Sequence, residues 1–508
     1  MDWHTLLNTR LPVSMASTDS LLILLSIVIV LFSLYIFGNH KRNIKRNILP
    51  GPKALPIIGN LHNLLLKRKD MRSFLTEMSA KYGPVFSIQL GFKKTVVLSG
   101  YDAVADALKK TSEAFTERPT IPIIHKIHKG HGIIFSNGEN WKMMRRFTIS
   151  TLKNLGMGKK LMENMINNEV DLLIKELESY KGKSFKSGNI ITFAVANIIV
   201  SILIGQRLDI KNPLHLEHVG KIEESFLLLA NPMVLLYNAY PSLMSWIPGP
   251  HKTYIQNLTK VRNMIEKSIP EFKSELDMNE DKNLVNAFLV KQIEEVPGSQ
   301  GFFHNGNLVT LVTGLYGAAT QTTAITLQWC LLLMAKYPEH QRKVQEEIDR
   351  VIGAELPQEE DRNKLPYTEA VIHETLRYQS SDGAPYQTTQ DITIKGYLIP
   401  KGTHVLPFLP SVLSDKNYFE KPEEFNPRNF LDSNGNFQQN KAFLVFSAGR
   451  RKCAGETIAR TELFLFLTRL LQKFTFKPPP DQDTVDLTRL IGAIVRPHKT
   501  EICVVART

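Results

Sequence analysis

The string Phe446-Ser447-Ala448-Gly449-Arg450-Arg451-Lys452-Cys453-Ala454-Gly455 constrains this chain more than any other. It sets one cysteine among glycines and three cations, just ahead of an apolar run with helical period. A lone cysteine is most often a small buried apolar residue. A cysteine that binds metal or does redox chemistry works as thiolate, and neighbouring Arg, Lys or a following helix N-terminus lower its pKa. Glycines such as Gly449 and Gly455 let backbone approach a flat or bulky group without side-chain clash. The string therefore reads as a metal- or redox-cysteine loop.

The chain has 508 residues and a formal net charge of +13. Its 3 cysteines are too few for a disulfide scaffold, and the odd count leaves one unpaired, as in a reducing compartment. The positive charge fits an acidic protein partner or an anionic membrane leaflet. The chain has no compact Lys/Arg tract interleaved with aromatics, which argues against nucleic acid.

Leu21 to Phe37 is uninterrupted by charge, near the lower limit of the roughly 17–25 apolar residues needed to span a bilayer. Asp19 precedes it and no small-residue cleavage site follows, which opposes a cleaved signal. His40-Lys41-Arg42 and Lys45-Arg46 place the C-terminal side in the cytosol by the positive-inside rule. The expected division is a short lumenal N-terminus (1–20), a transmembrane anchor (21–38), a basic, Pro-rich hinge (39–59) and one catalytic domain (60–508).

Within the body, residues 84–99 alternate apolar and polar and predict a hairpin. Helical period predicts helices over Met162–Tyr180, Ile190–Ile204, Leu308–Lys336 and Glu339–Ile352. Strands are expected at Asp391–Ile394 and Glu501–Val505, and residues 414–440 read as a long ordered meander. The fold class is mainly α with small antiparallel β-sheets. The Leu308–Lys336 helix would be about 44 Å long. Its central Thr320-Gln321-Thr322-Thr323 argues against lipid exposure and for a buried core helix.

Glu374 and Arg377 share a helix face at i,i+3, and Trp141 and Arg145 at i,i+4. As bare spacings, such pairs usually lie on the surface. His125, His128 and His131 have helical spacing, but glycines interrupt them and no acid or Cys lies near, which opposes a metal site.

The Cys453 string matches F-x-x-G-x-R-x-C-x-G at every fixed position and resembles the haem-thiolate loop of cytochromes P450. The resemblance runs from Leu49 to the C-terminus. His131-Gly132-Ile133, Phe135-Ser136-Asn137-Gly138 and Ile399-Pro400-Lys401-Gly402-Thr403 are similar to vertebrate microsomal family 2 members. The resemblance implies the cytochrome P450 fold with one N-terminal anchor, haem b as cofactor and Cys453 as axial iron ligand. It also implies that Phe446, Gly449 and Gly455 shape the loop, that Trp141, Arg145 and Arg451 meet the haem propionates, and that Glu374 and Arg377 brace the meander. The third brace position carries Asn429 where the family has Arg or His. On the central helix Thr322 would relay protons, while Gln321 replaces the family's acid and Ala319 its glycine. Gln orients water but is no strong acid.

The implied activity is monooxygenation of a lipophilic fatty acid, steroid or xenobiotic in the endoplasmic reticulum membrane. Electrons would come from NADPH through NADPH–cytochrome P450 reductase, with cytochrome b5 as a second partner. Lys142, Arg146 and Lys452 would dock the reductase. The pocket is expected from Ile121–Ile127, Leu315–Ala319, Ser380–Ala384 and Ile491–Ala493, with nothing polar to select a substrate. An isomerase or dehydratase on the same fold, and a non-catalytic haem protein, are the alternatives.

Overall fold

The computed structural model describes residues 26, 30, 49–66, 70–280, 282–295 and 301–507. Apart from Ser26 and Val30, the expected lumenal segment, anchor and basic stretch through residue 48 lie outside the described residues.

The principal helices are α1 (Met71–Tyr82), α2 (Pro122–His128), α3 (Gly138–Asn154), α4 (Lys160–Ser179), α5 (Ser187–Ile204), α6 (Pro213–Leu228), α7 (Pro250–Ser274), α8 (Asn305–Lys336), α9 (Pro338–Val351), α10 (Pro366–Tyr378) and α11 (Glu456–Lys473). The strands are β1 (Val85–Leu90), β2 (Lys93–Ser99), β3 (Ser184–Lys186), β4 (Tyr386–Gln387), β5 (Ile392–Ile394), β6 (Tyr397–Ile399), β7 (His404–Phe408), β8 (Phe474–Lys477), β9 (Arg489–Leu490), β10 (Arg496–Pro497) and β11 (Glu501–Ala506).

Helix α8 is the axis of the molecule. Its first turn is capped by the His304 side chain, which accepts from Asn307 N–H, and Pro338 opens the next helix. Most of α8, 24 of its 32 residues, is buried, against α5, α7, α10 and α11. Helix α5, apolar all round and long enough to cross a bilayer, is mostly buried in this core.

The hairpin expected over 84–99 forms as β1 and β2, antiparallel. The expected small antiparallel sheets need one correction. Strand β7 pairs parallel to β2, so the four-stranded sheet β1-β2-β7-β4 is mixed. The C-terminal strand β11 lies between β3 and β8, so a distant strand closes its sheet. Neither pairing leaves a local sequence signal, because a ladder partner hundreds of residues away has no fixed spacing.

Glu374 and Arg377 form a buried two-pronged pair: Arg377 Nε donates to Glu374 Oε2 and Nη2 to Oε1, each at 2.6 Å. The guanidinium also donates to the carbonyls of Leu413, Pro422 and Glu424, and Asn426 N–H donates to Glu374 Oε1 at 2.8 Å. Asn429 ties the same meander internally, accepting from Glu420 N–H at 2.8 Å. Removing one partner of a satisfied buried ion pair leaves the other uncompensated. Arg377→Met should therefore lower the urea midpoint of the holoprotein by the equivalent of about 3–5 kcal/mol; a shift typical of surface pairs contradicts the brace.

Glu462 on α11 is fully buried, and its carboxyl oxygens have no well-formed hydrogen bond, with only the Thr323 hydroxyl close by. Burial pushes its pKa up to about 8 from 4.5, against a smaller opposing pull from Thr323. A carboxyl with a raised folded pKa costs stability above its unfolded pKa, increasingly until the folded pKa is reached. Glu462→Gln should thus raise Tm, by more at pH 8 than at pH 5. An equal change at both pH values refutes this account.

Candidate functional site

The Cys453 loop leaves the meander through Phe446, makes a 3-10 turn at Gly449–Arg451 and enters α11 at Glu456. Cys453 N–H donates to Phe446 O at 3.0 Å. Gly449 has φ +73°, and a Cβ there would lie 2.3 Å from Leu108 O. Its glycine is therefore needed for the approach of neighbouring backbone, a different reason from the one expected. A Cβ on Gly455 would meet only open space.

Cys330 and Cys503 are buried; the Cys453 side chain is exposed. The three cations expected to lower its pKa are turned to other work. Arg450 pairs with Glu113, Lys452 pairs with Glu456 at 2.6 Å, and Arg451 donates to Thr116 O at 2.7 Å and Ser136 O at 2.6 Å. Although the side chain keeps an open face, the protein packed around the sulfur desolvates it and raises the thiol pKa, outweighing the Gly455 N–H, Arg145 and Lys452, with Glu456 adding to the rise. A coordinated cation reverses this, because a metal-bound thiol is deprotonated outright.

On α8, Thr320, Gln321 and Thr323 are buried while Thr322 between them is exposed, and Ala318 and Ala319 are partly so. The Thr322 hydroxyl donates to Ala318 O at 2.8 Å. Successive helical positions point about 100° apart, and Gln321 is directed elsewhere. Its Oε1 accepts from Arg496 Nη2 at 3.1 Å, and Arg496 pairs with Glu223 of α6 at 2.7 Å. Gln321 Nε2 has no partner.

A third group gathers beside the Cys453 loop. Trp141 is buried with its indole N–H unpartnered, and Arg451 stacks on it at 3.9 Å. Arg145, one turn along α3, donates to Lys452 O at 2.6 Å. Arg118 joins them: buried, stacked over Tyr386 at 4.1 Å, with Nη1 on the carbonyls of Ala384 and Pro385 and Nε unpartnered. The Tyr386 hydroxyl is shared with Ser447 at 3.2 Å. Among the described residues, none of Arg118, Arg145 and Arg451 has an ion-pair partner. Burial lowers the pKa of all three, that of Arg451 to about 9 with help from Arg118. Sequence reasoning missed Arg118, because it stands in a loop with no helical spacing to the others.

These residues fit haem. An interior helix opens at small side chains and one hydroxyl, an accessible thiol follows the glycine loop, and unpartnered donors with uncompensated arginines suit two carboxylates.

A cavity of about 360 Å³ adjoins Ala318 and is lined by Ile124, Phe226, Leu315, Ala384 and Ala493 among others. The expected apolar segments all contribute. The expectation of nothing polar fails: His128, His131, Thr310 and Asp382 also face it. Among the described residues no His/Cys/Asp/Glu cluster can hold a free metal ion. His125 is exposed, and His131 packs edge-on to His304 at 4.8 Å.

Comparison with known proteins agrees with this geometry. The cytochrome P450 family model matches residues 49–504. Cytochrome P450 2K4 of Oncorhynchus mykiss is 43% identical over 464 residues, covering 90% of this chain and 92% of the relative. Cytochrome P450 2F3 of Capra hircus is 40% identical over 497 residues (97% and 99%), and cytochrome P450 2C41 of Canis lupus familiaris 42% over 465 (90% and 94%). The chain belongs to the cytochrome P450 family and is a haem-thiolate monooxygenase similar to the family 2 members.

Proposed function

We propose that this monooxygenase inserts one oxygen atom into a lipophilic organic substrate held in the cavity beside Ala318. Electrons come from NADPH through NADPH–cytochrome P450 reductase, with cytochrome b5 as an accessory donor. Residues 21–38 anchor the chain in the endoplasmic reticulum membrane behind a hinge at 39–59, and the domain at 60–508 lies in the cytosol. The observation that carries this reading is that, among the described residues, Cys453 is the cysteine and Thr322 the α8 threonine with an exposed side chain.

Haem b, when bound, supplies the oxygen-activating chemistry. Cys453 would ligate its iron. Trp141, Arg145, Arg118 and Arg451 would hold its carboxylates, while the loop from Phe446 to Gly455 keeps the sulfur in place. Thr322 holds a proton at Oγ1, one turn beyond Ala318 of the cavity wall. With an amide at 321, the nearest acid of that network is Glu223, reached through Arg496. Gln321 therefore positions Arg496, and proton supply to Thr322 lacks an adjacent carboxylic acid. On the surface beside α3, Arg146 has no ion-pair partner among the described residues, and Lys142 holds an exposed partner, Glu139, that a docking acidic face displaces at little cost, while Lys452 is tied to the largely buried Glu456.

A reduced, carbon monoxide-treated difference spectrum tests thiolate ligation. NADPH consumption with reductase then separates a monooxygenase from an isomerase, a dehydratase or a haem-binding protein without turnover. A mass-spectrometric product screen over fatty acids and steroids identifies the substrate. In the same assay Gln321→Glu should raise product per NADPH and lower peroxide release; unchanged coupling removes the role assigned to Gln321. Arg118→Ala should lower haem retained per chain after gel filtration by several-fold, read from absorbance, while Lys142→Ala leaves it unchanged. Full haem retention in Arg118→Ala contradicts its place in the site.

A further inference from the structure

The arginines beside the Cys453 loop are held by neutral oxygens. Arg118 Nη1 donates to the carbonyls of Ala384 and Pro385, and Arg145 Nη2 to that of Lys452. Arg451 donates to the carbonyls of Thr116, Ser136 and Ile133. Among the described residues no carboxylate hydrogen-bonds to any of the three; Glu117 acts on Arg451 through space.

These contacts converge on Asn137, the N-cap of α3. An asparagine at an N-cap ordinarily accepts from a backbone N–H two or three residues further on. The Asn137 side chain makes no such bond. Its Oδ1 accepts from Arg118 N–H at 2.7 Å and from Arg451 Nη2 at 3.1 Å, and its Nδ2 donates to Arg118 O at 2.8 Å. Two donors fill both lone pairs of the amide oxygen, so none is left for the helix. Asn137 O accepts from Trp141 N–H at 3.3 Å, and Arg451 stacks on the Trp141 ring. One residue therefore sets the backbone of Arg118, the guanidinium of Arg451 and the helical turn that carries Trp141.

The diverted cap has a reason in charge. An aspartate at 137 could accept from both donors, but it could not donate to Arg118 O, and its charge would pair with Arg451. An amide orders the arginines and leaves them uncompensated. A buried cation held only by neutral dipoles stays costly, and an incoming carboxylate relieves that cost through charge-assisted hydrogen bonds.

We infer that Asn137 is a positioning residue for haem: it fixes Arg118 and Arg451 as a pair, and its neutrality keeps both charges free for the haem carboxylates. This rests on the assignment of those arginines to the haem carboxylates and goes beyond it.

Haem transfer from the full-length holoprotein to excess apomyoglobin, together with the propionate-bending bands of its resonance Raman spectrum, tests this without turnover. Asn137→Asp keeps the size of the side chain and both accepting contacts. It should release haem several-fold faster and shift the propionate bands, because its charge competes for Arg451, while the iron–sulfur stretching band stays as in the wild type. Asn137→Ser restores a good N-cap but is too short to bridge Arg118 and Arg451, so it should also release haem faster. In an Arg118→Ala background Asn137→Ser should have a smaller effect than alone, since residues that act through one another are not additive. Unshifted propionate bands in Asn137→Asp, wild-type haem release from Asn137→Ser, or additive effects in the double variant overturn the inference. Wild-type haem release and propionate bands in Arg118→Ala refute the arginine assignment on which it rests instead.

Discussion

The Glu374–Arg377 pair is the interaction on which the rest of this structure depends. Two carboxylate oxygens and a guanidinium are removed from water together, and each remaining donor finds a backbone carbonyl of the meander. A pair so placed is costly to desolvate and gains its value from geometry, since only one arrangement satisfies every group. That arrangement sets where residues 413–426 run against α10, and so where the chain re-enters as the Cys453 loop. The cysteine is positioned by a polar lock on a different helix as much as by its own glycines.

Helix α8 supplies the complementary constraint. It is covered on nearly all sides by apolar helices, so the few places where its surface is open carry chemical meaning. One is the Ala318–Ala319–Thr322 face; another is the Thr310 turn, where Arg262 reaches across from α7. The cavity runs along α8 from Thr310 to Ala318. Buried charge follows the same logic at the arginine cluster: Arg118, Arg145 and Arg451 repel one another, and the fold tolerates this because stacking on Trp141 and Tyr386 and donation to carbonyls offset part of the cost.

Much of this was legible from residues alone. The Cys453 string, the helical period of α4, α5, α8 and α9, and the hairpin at β1–β2 all appear within a few residues of their expected bounds, because each rests on local spacing. The readings that changed depended on direction. Of the three cations expected to draw down the pKa of Cys453, Arg450 and Arg451 turn to Glu113 and loop carbonyls; Lys452 still lowers it while paired with Glu456, and desolvation outweighs that pull. The resemblance placed Gln321 at the family's acid position beside Thr322, but a one-residue step on a helix turns its side chain to a different partner, Arg496.

By itself the sequence nominated the residues proposed for the chemistry, a cysteine loop and a threonine in a long apolar helix, together with an acid and a base one turn apart that brace the fold. Spacing along the chain encodes those, since 3.6 residues per turn maps number onto face. Tertiary structure alone decided what meets across the chain. It brought Arg118 from an unpatterned loop onto Tyr386, paired β7 parallel to β2, and set His128, His131 and Thr310 along the wall of a mainly apolar cavity. Contacts between distant segments have no period to read, so their partners follow only from how buried surfaces and unpaired charges are satisfied together.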